Sequence, residues 1–422
     1  MIEMREFTDS LPYLNGELPG TGGVIKRFDE DFVVEEVPLY AASGSGTHVY
    51  FIIEKRGLPT PAVVQHVARA LGRQSWEIGY AGLKDAHGVT RQMLSLEHVD
   101  PTRIEALSLA RVRVLSVNRH TNKLKLGHLA GNRFCIKVRG AVTDAVRRAE
   151  AILAVLQRRG VPHFFGPQRF GARGDNALIG RAILRGEYEE AMALMLGRPG
   201  AWDHGPARKA RELFDAGDFE AAAATWPRGV FAQQSRLCRA LAKHGGDARK
   251  TWRAVDASMR KLYLSAFQSE LFNRILSERI TDMDGVRDGD IAWKHVNGAC
   301  FHVEDPGAEQ PRCEAFEISP TGPLFGKRMT RAGGEPGQRE SAVLAASGVS
   351  ERQWSDREAG RLTGGRRPLR VPISEVAVDA GDDEHGPFLR VGFFLPAGAY
   401  ATNVMREICK SDATPEESNA ES

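Results

Sequence analysis

The order of hydrophobic and polar residues divides the chain into strand-rich ends and a helix-rich middle. Residues 32–37 and 47–54 are rich in β-branched and aromatic side chains, a composition typical of strands. Within a further candidate strand, 132–139, Phe134 and Ile136 alternate with polar residues, which predicts one buried face. The other predicted strands are 77–80, 92–99, 111–118 and 388–395.

Helix signals begin at Thr60-Pro61, where we expect Thr60 to be the cap and Gly72 to end the helix. A second helix is predicted at 144–159. Helical patterning then dominates 175–280 and ends in a long helix at 256–280, and we expect Thr402 to cap a short helix near the C-terminus.

The alternation of these regions favours one domain inserted into another. A chain of 422 residues is long for a single core, so two domains are expected. Strands near both ends would then share one sheet, which predicts an α+β fold with a more helical inserted domain. The polar residues 410–422 predict a disordered tail.

Composition is that of an ordinary globular protein, with 42% hydrophobic and 26% charged residues. The sequence lacks an apolar run of membrane-spanning length, and its first residues lack the order of a secretory signal. Five scattered cysteines without a C-x-x-C pair fit reduced thiols. We therefore expect a cytoplasmic protein that does not bind a membrane.

Positive charge is concentrated in particular segments, although the net charge is only +3. Residues 106–143 and 151–174 contain no Asp or Glu but many Arg and Lys, and two further basic clusters lie within 327–331 and 361–370. Such segments suit contact with phosphates, because the local field attracts a polyanion. Ordinary solvated faces are the alternative, and four segments together favour a nucleic acid.

Common cofactor motifs are missing from the sequence. The glycines of 322–328 resemble a phosphate-binding loop, but they are separated by three residues where four are needed. G-x-S-x-G, H-E-x-x-H and a G-x-G-x-x-G after a strand are also missing. We expect no cofactor and no metal; a metal-dependent hydrolase is a rival reading that would use His295, Cys300, His302 and Cys313, whose spacing matches no zinc motif.

The segment 81–88 is the remaining candidate for chemistry. It places Asp85 in a loop after a strand, where functional side chains are often exposed. A nucleophilic carboxylate must stay ionised while partly desolvated, and the adjacent Lys84 would oppose the rise in pKa that burial causes. Composition alone favours a simple surface turn with a weak ion pair.

Seven segments in order change that interpretation, because together they resemble the TruD family of pseudouridine synthases. The segment GYAGLKDAHGVTRQ at 79–92 is similar to the catalytic segment of that family. The others are 30–36, 131–134, 161–171, 264–273, 321–326 and 395–402. The resemblance implies a catalytic domain with a mixed or antiparallel sheet (1–156 and 371–409), an inserted domain (157–370), and a basic cleft.

The resemblance also assigns site residues. Asp85 matches the catalytic aspartate, and Lys26 falls where a lysine neighbours it. The matching positions of the uridine pocket are Lys26, Phe32, Asn132, Phe134 and Tyr400. We expect the aromatic rings to stack on or enclose the base, and Asn132 to hydrogen-bond its imide edge. RNA contacts are expected from Lys84, Arg91, Arg169, Arg173, Lys327 and Arg328.

The implied activity is isomerisation of uridine to pseudouridine in tRNA, at position 13 in the D-arm, without a cofactor. The base must leave the folded RNA to be reached. Asp85 would then either attack C1′ of the ribose or remove the 2′ proton; the sequence leaves both routes open. An RNA-binding protein on the same fold that has lost catalysis is the alternative.

Overall fold

The structure is a computed structural model, which describes residues 11–355 and 362–410. The described residues form two compact units, one of residues 13–161 with 371–410 and one of residues 162–370 with 11–12. The predicted boundaries of the inserted domain at 157 and 370 stay a prediction. Of the predicted tail, residues 411–422 lie outside the described residues.

The first part of the chain alternates strands with a few helices. Its elements are β1 (Phe32–Pro38), β2 (His48–Arg56), α1 (Thr60–Leu71), β3 (Gly79–Tyr80), β4 (Val89–Glu97), α2 (Pro101–Glu105), β5 (Val112–His120), β6 (Leu129–Arg139), α3 (Ala145–Arg159) and β7 (Val161–Pro162). Short 3-10 helices lie at Asp29–Asp31 and Ser75–Glu77.

The middle of the chain is mostly helical, as predicted, and it begins with a 3-10 helix at Pro167–Phe170. The helices that follow are α4 (Asn176–Arg185), α5 (Tyr188–Leu196), α6 (Gly205–Asp215), α7 (Phe219–Thr225), α8 (Ala232–Lys243), α9 (Ala248–Trp252) and α10 (Ala257–Glu278).

Shorter elements complete the chain. They are β8 (Ile291–Lys294), β9 (Cys300–His302), α11 (Pro306–Glu314), β10 (Ile318–Leu324), α12 (Gly334–Ala346), a 3-10 helix at Glu351–Ser355, β11 (Gly365–Pro368), β12 (Arg370–Val371), β13 (Ser374–Asp383), β14 (Gly386–Pro396) and α13 (Ala401–Cys409).

Strands from both ends of the chain form one sheet of eight described strands, in the order β13-β14-β6-β1-β4-β2-β5, with β3 paired to β4. β1 and β4 run parallel, whereas the other neighbours are antiparallel. The predicted α+β class with a mixed sheet is therefore confirmed, and the predicted basic cleft stays a prediction.

Helix α1 packs on this sheet through the apolar side of its 3.6-residue repeat. Val63 and Val67 are buried in one cluster with Phe51 of β2 and Leu94 of β4. The helix ends at Gly72, whose φ of 67° is the left-handed conformation that glycine adopts without strain.

Two predicted helix caps are wrong. Pro59 occupies the cap position of α1, so Thr60 is already helical, and its hydroxyl forms long-range hydrogen bonds instead. At the other end of the chain, Tyr400 occupies the cap position of α13, and Thr402 lies within the helix. The observed caps therefore lie one and two residues before the predicted ones.

The unit of residues 162–370 has a separate core. Helices α4 and α10 approach closely at Gly180, where a Cβ atom would collide with the carbonyl oxygen of Tyr263. Its sheet has the order β11-β10-β8-β9 and is antiparallel. Among the described residues, no helix has both the length and the hydropathy needed to cross a membrane.

Candidate active site

The Asp85 loop, residues 81–88, joins β3 to β4 and is fixed by side chains from neighbouring elements. Gln92 donates from Nε2 to the carbonyl oxygen of Gly82 at 2.6 Å. Thr60 donates its hydroxyl to Gln92 Oε1 at 3.0 Å, and that hydroxyl accepts from the backbone N–H of Lys84 at 3.0 Å. These buried and partly buried hydrogen bonds hold the first half of the loop.

Lys55 holds the loop at Asp85 itself. The Lys55 side chain is fully buried, and its Nζ donates to the carbonyl oxygens of Asp85 at 2.7 Å and Leu58 at 2.6 Å. Burial lowers the pKa of Lys55 from 10.5 to about 8, although the charge of Asp85 opposes this shift. Lys55 Nζ therefore anchors the backbone of Asp85 from the buried side of the loop.

Gly88 ends the loop where no side chain fits. Its N–H donates to Asp29 Oδ1 at 3.0 Å, and its φ is 132°. A Cβ at this position would lie 2.5 Å from the carbonyl oxygen of Phe32. This close approach follows from the parallel pairing of β1 with β4, which begins at Val33 and Val89.

The carboxylate of Asp85 is paired with Lys26. Lys26 Nζ lies 3.0 Å from Asp85 Oδ2 and 4.1 Å from the centre of the Phe32 ring. Lys26 itself has a left-handed backbone, with φ at 59°. The Asp85 side chain is 46% exposed, so the protein alone desolvates this carboxylate only in part. The paired cation is Lys26, the lysine that the family resemblance places beside this aspartate, and not the adjacent Lys84.

The register of β1 and β6 brings the other predicted pocket residues together. Glu36 lies opposite Asn132, and Val34 lies opposite Phe134. Because side chains alternate along a strand, Phe32 and Glu36 share a face of the sheet with Asn132 and Phe134. Residues about 100 positions apart therefore meet beside the Asp85 loop.

The predicted aromatic residues differ in exposure. Phe32 and Phe134 are buried, with ring centres 6.1 Å apart, and Phe134 also packs on Phe393 at 5.3 Å. Tyr400 is 42% exposed and follows β14, whose last residue pairs with Gly131. Phe32 and Phe134 therefore form a rigid base, whereas Tyr400 has an accessible ring.

Lys84 lies next to Asp85 in sequence but is directed toward the sheet. Its Nζ lies 2.9 Å from Glu36 Oε2 and donates to Asn132 Oδ1 at 2.7 Å. The side chains of Lys84 and Glu36 are 7% and 1% exposed. Little of the ammonium is left for a phosphate, so Lys84 is poorly placed to contact RNA.

The other basic residues expected to contact RNA lie in varied surroundings. Arg91 is partly exposed, with Nε 3.2 Å from Glu54 Oε2. Arg173 is engaged by Asp175 at 2.8 Å and by Asp203. An arginine whose charge is already balanced by carboxylates attracts a phosphate less strongly.

Four of the expected RNA contacts belong to the unit of residues 162–370, namely Arg173 and three others. Arg169 donates from Nε to Ser269 Oγ at 3.1 Å, and its guanidinium lies 5.7 Å from the ring centre of Phe165. Lys327 and Arg328 are exposed in the loop after β10. Of these residues, Lys327 and Arg328 are the most accessible.

Folding also brings some of the basic residues to acidic ones. Arg139, in the first acid-free stretch, binds Asp31 and Asp383 at 2.7 Å. In the last basic cluster Arg366 pairs with buried Glu340 at 2.6 Å, and Arg361 lies outside the described residues. Part of the charge segregation in the sequence is therefore neutralised in space.

Two of the possible metal ligands have other hydrogen-bond partners. His295 Nε2 lies 2.9 Å from Ser319 Oγ, and burial lowers the pKa of His295 to about 4. Cys313 Sγ donates to the carbonyl oxygen of Asp284 at 3.4 Å. Within residues 11–355 and 362–410, no three His, Cys, Asp or Glu side chains are grouped as metal ligands.

Sequence reasoning missed the residues that fix the Asp85 loop. Lys55 was the detectable one, because a lysine two positions after Ile53 lies on the buried face of a strand that is otherwise apolar. The sequence predicts that Thr60 caps a helix and that Gln92 lies in a strand, and it indicates no further role for either residue. Nothing in their local sequence indicates the loop that they bind.

Comparisons with known proteins show the family of the chain. The family model described as tRNA pseudouridine synthase D (TruD) matches residues 10–408. The tRNA pseudouridine synthase D of Geobacter metallireducens is 50% identical over 398 residues, which cover 94% of this chain and 97% of that protein. The protein of the same name from Geobacter sulfurreducens is 46% identical, with 94% and 96% coverage.

A solved structure gives the same picture. A crystal structure assigned to tRNA pseudouridine synthase D (TruD) from Methanosarcina mazei superposes with a TM-score of 0.84. The sequences are 27% identical, and the match covers 97% of this chain and 99% of the other. The similarity therefore extends over both units of the chain.

Proposed function

The chain belongs to the TruD family of tRNA pseudouridine synthases, and we propose that it isomerises uridine 13 in the D-arm of tRNA, with Asp85 as the catalytic carboxylate. The enzyme class, an isomerase, follows from the family. The observation that carries the proposal about Asp85 is its placement: a loop fixed at four backbone groups presents the carboxylate beside Lys26.

The reaction needs no redox partner, because its atoms and electrons balance within the nucleotide. The bond from ribose C1′ to uracil N1 breaks, and its electron pair stays on the uracil. The base turns, C1′ bonds to C5, the C5 proton leaves, and N1 takes up a proton. A single carboxylate that is regenerated at the end is sufficient for this sequence.

The two carboxylate oxygens of Asp85 have different surroundings. Oδ2 is held by Lys26 at 3.0 Å, whereas Oδ1 has no hydrogen-bond partner among the described residues. Oδ1 is therefore the atom that we place against the sugar, where attack at C1′ and removal of the 2′ proton would both start. Half-exposure of Asp85 suits this role, because an extruded nucleotide has to reach it and then excludes water.

The detached uracil must be retained while it turns. Stacking on an aromatic ring contributes about 1–3 kcal/mol per base. We assign that contact to Tyr400, whose ring is accessible, and assign Phe32 and Phe134 to the base of the pocket because they are buried. Asn132 provides the polar contact to the base edge.

Binding of the tRNA body is assigned to exposed basic residues. Lys327 and Arg328 are the best candidates among those predicted, followed by Arg169 and Arg91. Phosphate contacts release counterions, so affinity for tRNA should fall steeply as salt is raised. An affinity that stays constant between low and high salt would contradict this part of the proposal. A tRNA substrate also supports the cytoplasmic location predicted from the sequence.

Mapping of pseudouridine tests the proposed function directly. Unmodified tRNA transcripts are incubated with the purified protein, and pseudouridine is located by mass spectrometry of nuclease fragments. We expect one new pseudouridine at position 13 and none in a transcript carrying cytidine there. Pseudouridine at another position would refute the site specificity, and tRNA binding without any pseudouridine would favour the RNA-binding alternative.

A further inference from the structure

The side chain of Asn132 is held by a buried ion pair rather than by its own strand. Lys84 Nζ donates to Asn132 Oδ1 at 2.7 Å and lies 2.9 Å from Glu36 Oε2. Glu36 in turn accepts from the backbone N–H of Met93 at 3.2 Å, which fixes the carboxylate against β4. Contacts therefore run from β4 through Glu36 and Lys84 to Asn132, which is a predicted residue of the pocket.

This arrangement determines which end of the Asn132 amide faces the pocket. The two ends of an amide are hard to distinguish by shape alone, and hydrogen-bond partners decide between them. A lysine ammonium only donates, so the atom at 2.7 Å from Lys84 has to be the carbonyl oxygen. The amide NH2 group is left facing away, without an acceptor among the described residues.

We propose that Lys84, held by Glu36, is a positioning residue that orients Asn132 so that its NH2 group donates to a carbonyl oxygen of the uracil. The proposal rests on the proposed function, because the ligand is the base that the enzyme detaches. The sequence predicts only that Asn132 contacts the imide edge of the base; here the donor and the acceptor of that contact are both specified. In this orientation Asn132 gives hydrogen bonds to the base and accepts none from it.

A donor at this position suits the chemistry of the reaction. When the bond from C1′ to N1 breaks, uracil carries a negative charge that is shared by N1, O2 and O4. A fixed N–H group that points at O2 or O4 stabilises this charge more than the neutral base, which lowers the barrier. Glu36 balances the charge of Lys84, so the main effect of Lys84 is the direction of the amide.

Two thio-substituted substrates test the proposal. Sulfur accepts hydrogen bonds poorly, so tRNA with 2-thiouridine or 4-thiouridine at the modified position weakens one carbonyl contact at a time. We expect one of the two substitutions to lower single-turnover rates of the wild type by about five-fold or more, the size of one lost hydrogen bond. In Asn132→Ala the same substitution should have no further effect.

The Lys84→Met variant tests whether the orientation of the Asn132 amide matters, and not only its presence. It keeps Asn132 but removes the donor that fixes its oxygen, so the thio effect should shrink although Asn132 is intact. Matched controls are Asn118→Ala and Lys261→Met, both at exposed positions, which should retain the full thio effect. A full thio effect in Lys84→Met would overturn the role of Lys84. If Lys84→Met fails to fold, as judged by thermal unfolding, Glu36→Gln takes its place, because it removes the charge that holds Lys84 and should also shrink the thio effect.

The possible results separate the role of Asn132 and Lys84 from the proposed activity on tRNA. Turnover of ordinary uridine with no thio effect at either position overturns the inference and leaves the proposed function standing. A thio effect of equal size in wild type and Asn132→Ala also overturns it. Failure to convert ordinary uridine in any tRNA overturns the proposed function and this inference with it.

Discussion

Lys26 Nζ lies 3.0 Å from Asp85 Oδ2, although the two residues are 59 positions apart in sequence. The pair joins the segment before β1 to the loop before β4, and it is partly exposed on the Asp85 side. Exposed ion pairs contribute little to stability, typically about 0–1 kcal/mol. The pair therefore serves to orient one carboxylate more than to hold the fold together.

Replacement of Asp85 by Asn is expected to abolish pseudouridine formation. The amide keeps the size of the side chain but is neither a nucleophile nor a base, whereas the tRNA surface is unchanged. Affinity for tRNA should stay within about two-fold of wild type, since no phosphate contact is lost. Turnover by mass spectrometry and affinity by filter binding check the two parts. Asp382→Asn, at an exposed position of β13, is the matched control and should behave as wild type.

Replacement of Lys26 by Met is expected to slow turnover while preserving the fold. Loss of the cation releases Asp85 Oδ2 and removes the contact with the Phe32 ring, so the rate should fall by about 10²-fold, as for other lost electrostatic contacts in active sites. Single-turnover rates and urea unfolding measure the two effects. A rate loss accompanied by an equal fraction of unfolded protein would show that Lys26 is structural.

The regular elements could be predicted because they depend on local patterns. Alternation in 132–139 gave β6 and its buried Phe134, and helix periodicity gave α10 within two residues of its observed ends. β13 was missed because it carries charges on both faces, such as Asp379 and Asp382, and an edge strand tolerates charges that a central strand does not. Local pattern therefore identifies central strands better than edge strands.

The candidate site could be predicted only in part. The loop of Asp85 and the pocket residues followed from the family resemblance, and the register of β1 and β6 explains why Glu36 and Asn132 meet. Alternation along β2 indicates that Lys55 is buried, but its binding to the Asp85 loop depends on contacts across β2 and β4 that no local pattern encodes. The direction of the Lys84 side chain was also not predictable from local sequence. Its position next to Asp85 predicts an ion pair with that residue, but the structure pairs it with Glu36.

Lys55→Met is expected to lower turnover by loosening the Asp85 loop, because the carbonyl oxygens of Asp85 and Leu58 lose their donor. A buried acceptor without a partner costs about 1–3 kcal/mol, part of which appears as loop motion. Hydrogen exchange of the loop amides should therefore increase along with the loss of rate. Unchanged exchange with a reduced rate would contradict a role in fixing the loop.

Stability should also change with pH through Lys55. Its pKa is about 8 in the folded protein and 10.5 when unperturbed, so between these values the unfolded chain binds more protons. The free energy of unfolding of the wild type should therefore rise relative to Lys55→Met as pH increases from about 8 toward 10. Urea unfolding of both proteins at several pH values measures this difference, and a difference that falls over this range would contradict the assignment.

The ion pairs of Arg139 give the sheet a predicted sensitivity to acid. Hydrogen bonds from Arg139 and Lys137 hold the pKa of Asp383 well below its usual value. A carboxylate with a lowered pKa stabilises the fold fully above its unfolded pKa of about 3.9, and that contribution is lost as pH falls below it. The wild type should therefore lose stability below about pH 4, and Asp383→Asn should lose less over the same range.

Arg139→Met is expected to be far more harmful at neutral pH, because it leaves Asp31 fully buried without its partner. Removal of one member of a buried pair costs about 3–5 kcal/mol, since the remaining charge is neither solvated nor balanced. Arg390→Met, which breaks an exposed pair with Asp379 on neighbouring strands, is the matched control and should cost at most about 1 kcal/mol. Urea unfolding at pH 7 compares the two variants; equal losses would mean that burial does not govern the strength of these pairs, because the charge removed is the same.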